Sequence, residues 1–246
     1  MEKHVGKHHW NLSPTGLSSF ALKLAAIFGM TCNHAAYLFG SIIPFPIECI
    51  LFAAGGITFP VMAFLLVEGY THTSSVRKYA ARLLAFALVS QIPYSLFLDS
   101  NGNVLFTLLI GLGLLHAHDH MENRIGFWML AAGGCAASLL CDWGFLGVAM
   151  VLMFKVMRGE AGGIAAPVGL AIASVGLPAL SDMVSTGVSA LPALLYPFAG
   201  CSAAIPLIST YNGRRGRPLK WLFYAYYPAH IAILGLVHIL VTGSLP

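Results

Sequence analysis

Long apolar runs, separated by short polar breaks, make up most of this chain. A helix that crosses a bilayer needs roughly 20 predominantly apolar residues, and several of the runs reach that length. The pattern therefore predicts an all-α, polytopic membrane helix bundle of about nine transmembrane helices. The predicted helices cover residues 17–40, 47–70, 79–98, 103–118, 125–141, 143–157, 162–180, 189–210 and 221–243.

The basic residues fall on one side of this predicted bundle. Cytoplasmic loops of membrane proteins carry an excess of Lys and Arg, so the N-terminus is predicted to be cytoplasmic and residues 1–16 to form a cytoplasmic segment. The loops on the other side carry Asp99, Asp142 and Asp182 and no Lys or Arg. The residues that define the cytoplasmic side are Lys3, Lys7, Arg77, Lys78, Arg82, Arg124, Lys155, Arg158, Arg214, Arg215, Arg217 and Lys220.

The composition favours a membrane protein and excludes several other classes. The 246 residues are 58% hydrophobic and 9% charged, which is too apolar for a soluble domain of this size. The net charge of +4 is explained by the cytoplasmic loops, so no nucleic-acid partner is inferred. The five cysteines show no CxxC spacing and are typical of apolar packing residues. We expect one integral membrane domain over residues 1–246, surrounded by membrane lipids.

Polar residues inside the apolar runs are the most informative, because ionisable groups in a bilayer are costly and usually face a bundle interior. On the first helix, Lys23, Met30 and His34 are spaced by seven and four residues and so share one face. Asn33 lies beside His34 in the outer third of that helix. The face is either functional or packed against polar partners.

The second and third predicted helices add charged groups near the cytoplasmic surface. Glu68 and His72 are one helical turn apart, and this pair could bind or orient a polar cytosolic ligand. Alternatively, the helix ends there and both groups meet water at the lipid headgroups. Arg82 lies on the next helix, before Pro93, which is predicted to kink it.

Two further residues occupy positions that suggest chemistry. Asp142, in CDWG on the outer side, could orient a histidine or bind an amine, or it could cap a helix. His230, in YYPAH, falls near the middle of the membrane. A single buried histidine is more often a hydrogen-bonded core residue than a catalyst, but two of them, His34 and His230, favour a function. Whether they meet in space is not readable from the sequence.

Two histidine-rich segments, HAHDH and KHVGKHHW, lack the ligand spacing of a metal site. Both fall in predicted cytoplasmic segments, where solvated polar residues are expected, so no metal cofactor is predicted. Small residues in AAGG and GLGLL permit close helix packing, either within one chain or in a homo-oligomer.

Several segments resemble the TraX family, named for the conjugative-plasmid pilin acetylase. The resemblance covers the chain from Leu22 to about Leu236, with only generic apolar sequence from about Val156 to Leu195. The segments are KLAAIFGMTCNHAAYLF, FPVMAFLLVEGYTHTSSVRKYAARLLAFALVSQIPY, NVLFTLLIGL, DWGFLGV, YNGRRG and LFYAYYPAHIAIL. The second of these, which is the longest, and FYAYYPAH within the last are the most specific.

The resemblance implies an N-acetyltransferase in the bacterial inner (cytoplasmic) membrane that takes acetyl groups from acetyl-CoA and delivers them at or across the membrane. The acceptor stays open: the founding activity of the family acetylates a pilin N-terminus, but such a family could equally act on another protein N-terminus, an amino sugar, a lipid, a small amine or a hydroxyl. The catalytic residues are then predicted to be His34, Asn33, His230 and Asp142. The residues predicted to bind the donor are Lys23, Glu68, His72, Arg77, Arg82, Arg214 and Tyr227.

Under this interpretation His34 is the general base, because imidazole titrates near neutral pH, and Asn33 or a nearby donor helps to hold it. His230 is a second acid or base, or an orienting group. Direct transfer is favoured over transfer through an acetylated His34. The resemblance also implies an aspartate directly before the histidine. Asn33 stands there instead, and it can accept a hydrogen bond but cannot stabilise imidazolium by charge.

A proton-coupled transporter is the alternative interpretation of the same residues. His34, Glu68, Asp142 and His230 would then relay protons through the bundle. Composition and topology fit both classes of protein, and only the acetyltransferase should consume acetyl-CoA.

Overall fold

The described part of the chain is built from helices. A computed structural model describes residues 15–246, so nearly all of the predicted segment 1–16, including Lys3, Lys7 and the KHVGKHHW histidines, lies outside the described residues. Residues 15–246 contain no β-strand, and the predicted all-α fold is confirmed. The helices are α1 (Ser19–Phe39), α2 (Phe45–Gly55), α3 (Thr58–His72), α4 (Val76–Phe97), α5 (Val104–His120), α6 (Arg124–Ser138), α7 (Gly144–Val156), α8 (Ala165–Thr186), α9 (Leu191–Leu195), α10 (Ser202–Ser209) and α11 (Lys220–Thr242).

Four helical runs are long and apolar enough to cross a membrane, judged by length and composition. Two shorter helices, α5 and α7, are also apolar. The count of nine membrane spans is not confirmed by this criterion and stays a prediction, because the other helices of the described region do not meet it. The four runs are Phe45–His72, Val76–Phe97, Ala165–Ser209 and Trp221–Thr242.

The longest of these runs turns back on itself. A 3₁₀ turn, Gly187–Ala190, separates α8 from α9. Gly187 has φ of 69°, a left-handed conformation that glycine adopts without a steric penalty. The two ends of the run, Ala165 and Ser209, consequently line the same small cavity.

The bundle has two ends that differ in charge. We call one of them the basic end. There, the Ser19 N–H of α1 donates to the Arg214 carbonyl at 2.8 Å, and Arg158, which follows α7, pairs with Glu68 of α3. At the other, which we call the acidic end, the Asp142 N–H before α7 donates to the Gly102 carbonyl before α5 at 2.7 Å. The basic residues are therefore grouped at one end, whereas the membrane side that this end faces stays a prediction.

Gly56 and Gly200 allow two helical runs to touch through their backbones. A Cβ atom on Gly56, between α2 and α3, would lie 2.2 Å from the Tyr196 carbonyl oxygen and 2.7 Å from the Gly200 Cα. Tyr196 and Gly200 belong to a π-helical segment, Tyr196–Cys201, that joins α9 to α10. Such segments are rare and frequently occur at functional sites. Tyr196 also lines a large cavity inside the bundle.

The substitution Gly56→Ala is expected to destabilise the protein, because the new methyl group meets backbone atoms that cannot rotate away. Overpacking of this kind costs about 1–3 kcal/mol or more. Gly113→Ala is the matched control: its Cβ would meet no atom within 4 Å, and Ala in a helix interior is favoured over Gly by about 1 kcal/mol. Thermal unfolding in detergent should show a lower Tm for Gly56→Ala only, and similar curves for both variants would contradict this account.

Candidate functional site

One large cavity runs inside the bundle from the basic end towards the acidic end. Its volume is about 620 Å³, which is in the range of small-molecule sites. Lys23, Lys78, Arg82 and Arg215 line it at the basic end. The residues that line it towards the acidic end include Asn33, His34, Phe59, Asp142, Trp143, Tyr196 and Tyr227.

Two histidines meet at the inner end of this cavity. Nδ1 of His34, on α1, lies 2.8 Å from Nε2 of His230, on α11, and the ring planes are within 7° of parallel. Both residues are buried, with exposed fractions of 8% and 5%. His34 is part of the cavity wall, whereas His230 lies behind it. The structure thus brings together the two histidines within apolar segments that the sequence analysis singled out. We call them the imidazole pair.

Hydrogen bonds assign the protons of the imidazole pair. Nδ1 of His230 lies 2.9 Å from the carbonyl oxygen of Tyr226, which can only accept, so this nitrogen carries a proton. In the neutral ring, Nε2 of His230 then holds a lone pair and accepts from Nδ1–H of His34. Nε2 of His34 is left unprotonated. A histidine arranged in this way can take one proton from a molecule in the cavity.

Asn33 does not hold His34, contrary to the expectation from the sequence. Its side chain packs against α2, where a Cβ atom on Gly55 would lie 2.8 Å from Asn33 Oδ1. This oxygen is buried and has no hydrogen-bond partner within residues 15–246. Nδ1 of His34 is bound by His230 instead. The absence of a carboxylate at position 33 therefore leaves the imidazole pair intact.

Asp142 and Trp143 form part of the cavity wall towards the acidic end. Helix α7 begins after Trp143 and no side chain caps it, so the interpretation of Asp142 as a helix cap is wrong. Trp143 has φ of 64°, a costly conformation for a residue other than glycine, and such strain is concentrated at functional sites. The surroundings sustain it: the indole stacks on Phe59 with ring centres 4.2 Å apart, and Thr107 donates to the Asp142 carbonyl.

Lysine and arginine side chains at the basic end of the cavity are held against aromatic rings. Nζ of Lys23 lies 5.4 Å from the ring centre of Phe223, and Cζ of Arg82 lies 5.5 Å from that of Tyr79. Nε of Arg82 is buried and has no hydrogen-bond partner in the described structure. Together with Lys78 and Arg215, these cations make a favourable environment for phosphate groups.

Arg77 and Arg214, both assigned to the donor site from sequence, lie outside the cavity wall and are exposed. Their chain neighbours Lys78 and Arg215 occupy the wall instead. Neighbouring residues on a helix point about 100° apart, so a single step along α4 decides which side chain faces inward. The sequence pattern located the two basic segments but not the side chains that face the cavity.

Glu68 forms a buried ion pair within the cavity wall. Its Oε1 lies 2.6 Å from Nη2 of Arg158, and its side chain is only 5% exposed. The interpretation in which Glu68 meets headgroup water is therefore wrong. His72, whose side chain is 63% exposed, does lie at the rim of the cavity. Because Arg158 neutralises Glu68, the carboxylate does not cancel the positive charge of the cavity mouth.

These features define a helical membrane protein in which an internal cavity joins a cationic mouth to a buried imidazole pair. Within residues 15–246, no three His, Cys, Asp or Glu side chains are grouped to hold a metal ion.

Comparison with known proteins identifies the family. The model of the TraX protein family matches residues 18–238, and the chain belongs to this family, as the resemblance predicted. The chain is also similar to the probable fimbrial assembly protein FimC, serogroup H1, of Dichelobacter nodosus. The two are 32% identical over 235 residues, which cover 88% of this chain and 94% of the relative. No solved structure matches the chain.

Several residues of the site carried no recognisable signal in the sequence. Tyr196 directly follows the stretch that looks like generic apolar sequence, and Arg158 looks like one more loop cation. For Tyr196, the directly following Pro197 is a weak sign of irregular helix, and it lies within the π-helical segment. For Arg158, its pairing with Glu68 depends on the packing of α7 against α3, which no local pattern reveals.

Proposed function

We propose that this protein is a membrane-embedded acetyltransferase that moves an acetyl group from acetyl-CoA to an amine or hydroxyl acceptor. The observation that carries the proposal is the location of His34: this residue, whose Nε2 is left unprotonated, lines a cavity whose other end is lined by cations. A general base beside the acceptor and cations around an anionic donor are what this reaction needs. Membership of the TraX family supports the proposal.

In this proposal the donor binds from the basic end. Lys23, Lys78, Arg82 and Arg215 hold the phosphates of CoA, and the pantetheine arm extends along the cavity towards His34. Because basic ends of membrane proteins face the cytoplasm, the donor is cytosolic in this proposal. The bacterial inner membrane is the membrane we propose. Tyr227, in the wall of the same cavity, contacts the arm near the thioester.

Direct transfer then needs one base and no covalent enzyme intermediate. Nε2 of His34 takes a proton from the attacking amine as the amine nitrogen bonds to the carbonyl carbon of the thioester. The C–S bond breaks, and the proton passes from His34 to the sulfur, which leaves as the CoA thiol. His230 orients His34 and shares the positive charge that the pair carries between these two steps.

The acceptor is proposed to bind at the acidic end, near Asp142 and Trp143. A carboxylate and an aromatic face suit a protonated amine before it loses its proton to solvent or to the site. The Dichelobacter relative is named a fimbrial assembly protein, so an N-terminal amine of a fimbrial or pilin subunit is the first candidate. Amino sugars and small amines belong in the same test.

Release of CoA thiol tests the proposal. Purified protein in nanodiscs is incubated with acetyl-CoA and a panel of pilin-type N-terminal peptides, amino sugars and small amines, and free thiol is followed with a colour reagent. We expect release that depends on one acceptor class. Empty nanodiscs and the same peptides with blocked N-termini are the controls. No release with any acceptor from folded protein would refute the proposal.

A proton-coupled transporter is the competing proposal, because a buried imidazole pair also suits a proton relay. Proteoliposomes with a pH-sensitive dye inside distinguish the two. Proton flux without acetyl-CoA, lost in His34→Ala, would favour the transporter. An acetyltransferase should show no such flux.

The substitution Arg82→Gln is expected to raise the KM for acetyl-CoA about tenfold, because a hydrogen bond to a charged phosphate contributes about 1.5–3 kcal/mol. The effect on kcat should be small, since the phosphates lie far from the reacting bond. Arg124→Gln is the control, because Arg124 lies at the same end of the bundle but outside the cavity wall. Equal KM values for the two variants would place the donor elsewhere.

A further inference from the structure

Two hydroxyl groups meet one helical turn from the imidazole pair, on the same two helices. Oγ1 of Thr31, on α1, lies 2.6 Å from Oη of Tyr226, on α11. Thr31 donates its own proton to the Ile27 carbonyl at 2.9 Å, so the proton between the two hydroxyls comes from Tyr226. Helices α1 and α11 are therefore joined by two hydrogen bonds one turn apart, the second being that of the imidazole pair.

Tyr226 also contacts His230 in two ways. Its ring packs on the His230 ring with centres 5.0 Å apart and planes within 10° of parallel. Its carbonyl oxygen accepts from Nδ1 of His230 at 2.9 Å. A tyrosine ring that is held at its hydroxyl cannot swing away from the imidazole that it covers. The hydrogen bond to Thr31 therefore limits the motion of His230.

Neither Thr31 nor Tyr226 is part of the cavity wall, so neither would touch the donor or the acceptor. Their hydroxyl groups are joined directly to each other across the helix interface. The two hydroxyl groups have no part in the transfer step described above. Because they lie beside the imidazole pair, their position instead suits a role in holding these rings.

We propose that Thr31 and Tyr226 form a hydroxyl latch that positions the imidazole pair. The hydrogen bond between the two hydroxyl groups holds the Tyr226 ring. This ring and the backbone carbonyl of Tyr226 hold His230. His230 in turn holds His34 so that Nε2 of His34 is available to the cavity. Both are positioning residues, and their role in turnover rests on the proposed acetyl transfer. Misplacing a catalytic group by about 1 Å can cost on the order of 100-fold in rate, so a support two contacts away from the base should affect turnover.

Three substitutions test the latch. Thr31→Val keeps the shape of the side chain and removes its hydroxyl, Thr31→Ser keeps the hydroxyl, and Tyr226→Phe removes the other hydroxyl. We expect kcat to fall about tenfold in Thr31→Val and in Tyr226→Phe, with an unchanged KM for acetyl-CoA. Thr31→Ser should stay close to the wild-type value. The double variant Thr31→Val/Tyr226→Phe should be no slower than the slower single variant, because both remove the same hydrogen bond.

Imidazole ¹⁵N resonances test the latch without turnover. In the wild type we expect His34 and His230 both to carry their proton on Nδ1, as the hydrogen bonds require. In Tyr226→Phe the same resonances should shift towards a mixture of tautomers. Thermal unfolding of each variant shows whether it is folded, and Tyr226→Phe, the mildest change, keeps the test valid if Thr31→Val does not fold.

The possible outcomes separate the two proposals. An active wild type with unchanged kcat and unchanged ¹⁵N spectra in Thr31→Val and Tyr226→Phe would overturn the latch and leave the acetyltransferase intact. Losses that multiply in the double variant, or that appear in the KM for acetyl-CoA, would also overturn it. A wild type that acetylates no acceptor would refute the acetyltransferase, and the role of the latch in turnover would be refuted with it.

Discussion

Replacing His34 with Asn is expected to lower kcat for acetyl transfer by about 10³-fold or more while the protein stays folded. The side-chain amide of Asn can stand where Nδ1 of His34 stands and can donate to Nε2 of His230, but Asn has no group at the place of Nε2. The variant therefore removes the proposed base and keeps the contact between α1 and α11. The measurement is CoA thiol release at saturating acetyl-CoA and acceptor.

His34→Ala is the comparison for this variant. It removes both the base and the hydrogen bond of the imidazole pair, so we expect the same loss of turnover together with a lower Tm. If His34→Asn retained most of the wild-type kcat, Nε2 of His34 would not be the base. Another cavity group, such as Asp142, would then need to accept the proton.

The second large effect is expected at His230. His230→Ala should lower kcat about 100-fold, because His34 loses the partner that orients it. In His230→Gln the amide oxygen can stand near the position of Nε2 and accept from Nδ1 of His34, so the expected loss is smaller, about tenfold. The order of the three rates, wild type above His230→Gln above His230→Ala, is the result to check by thiol release.

A double variant distinguishes support from independent catalysis. If His230 acts only through His34, His34→Asn/His230→Ala should be no slower than His34→Asn alone. Losses that multiply would contradict this, because they would mean that His230 contributes to the reaction by a separate route.

Much of the site follows from helical periodicity. The spacing of Lys23, Met30 and His34 predicts one shared face of α1, and all three residues line the cavity. A spacing of seven and four residues is enough to show this, because a helix repeats every 3.6 residues. This inference is local, and it depends only on how a helix presents its own side chains. The grouping of the basic residues at one end came instead from the Lys and Arg bias of cytoplasmic loops, which depends on the order of the predicted helices along the chain.

Contacts between helices could not be predicted, because a pattern shows which face is polar but not which helix that face meets. His34 and His230 are 196 residues apart in the chain, and only the packing of α1 against α11 brings their nitrogens together. The pairing of Glu68 with Arg158 depends on packing in the same way. The role expected for Asn33 failed for the same reason, since its side chain packs towards Gly55 on α2.

The measurement that tests the central claim most directly is transfer of a labelled acetyl group. Wild-type protein in nanodiscs is incubated with acetyl-CoA that carries a deuterated acetyl group, and the acceptor is examined by mass spectrometry beside a parallel His34→Asn sample. The account predicts a deuterated acetyl group on the amine of one acceptor class with wild type and almost none with His34→Asn. Equal labelling by both proteins, or no labelling of any acceptor by a folded wild type, would contradict it.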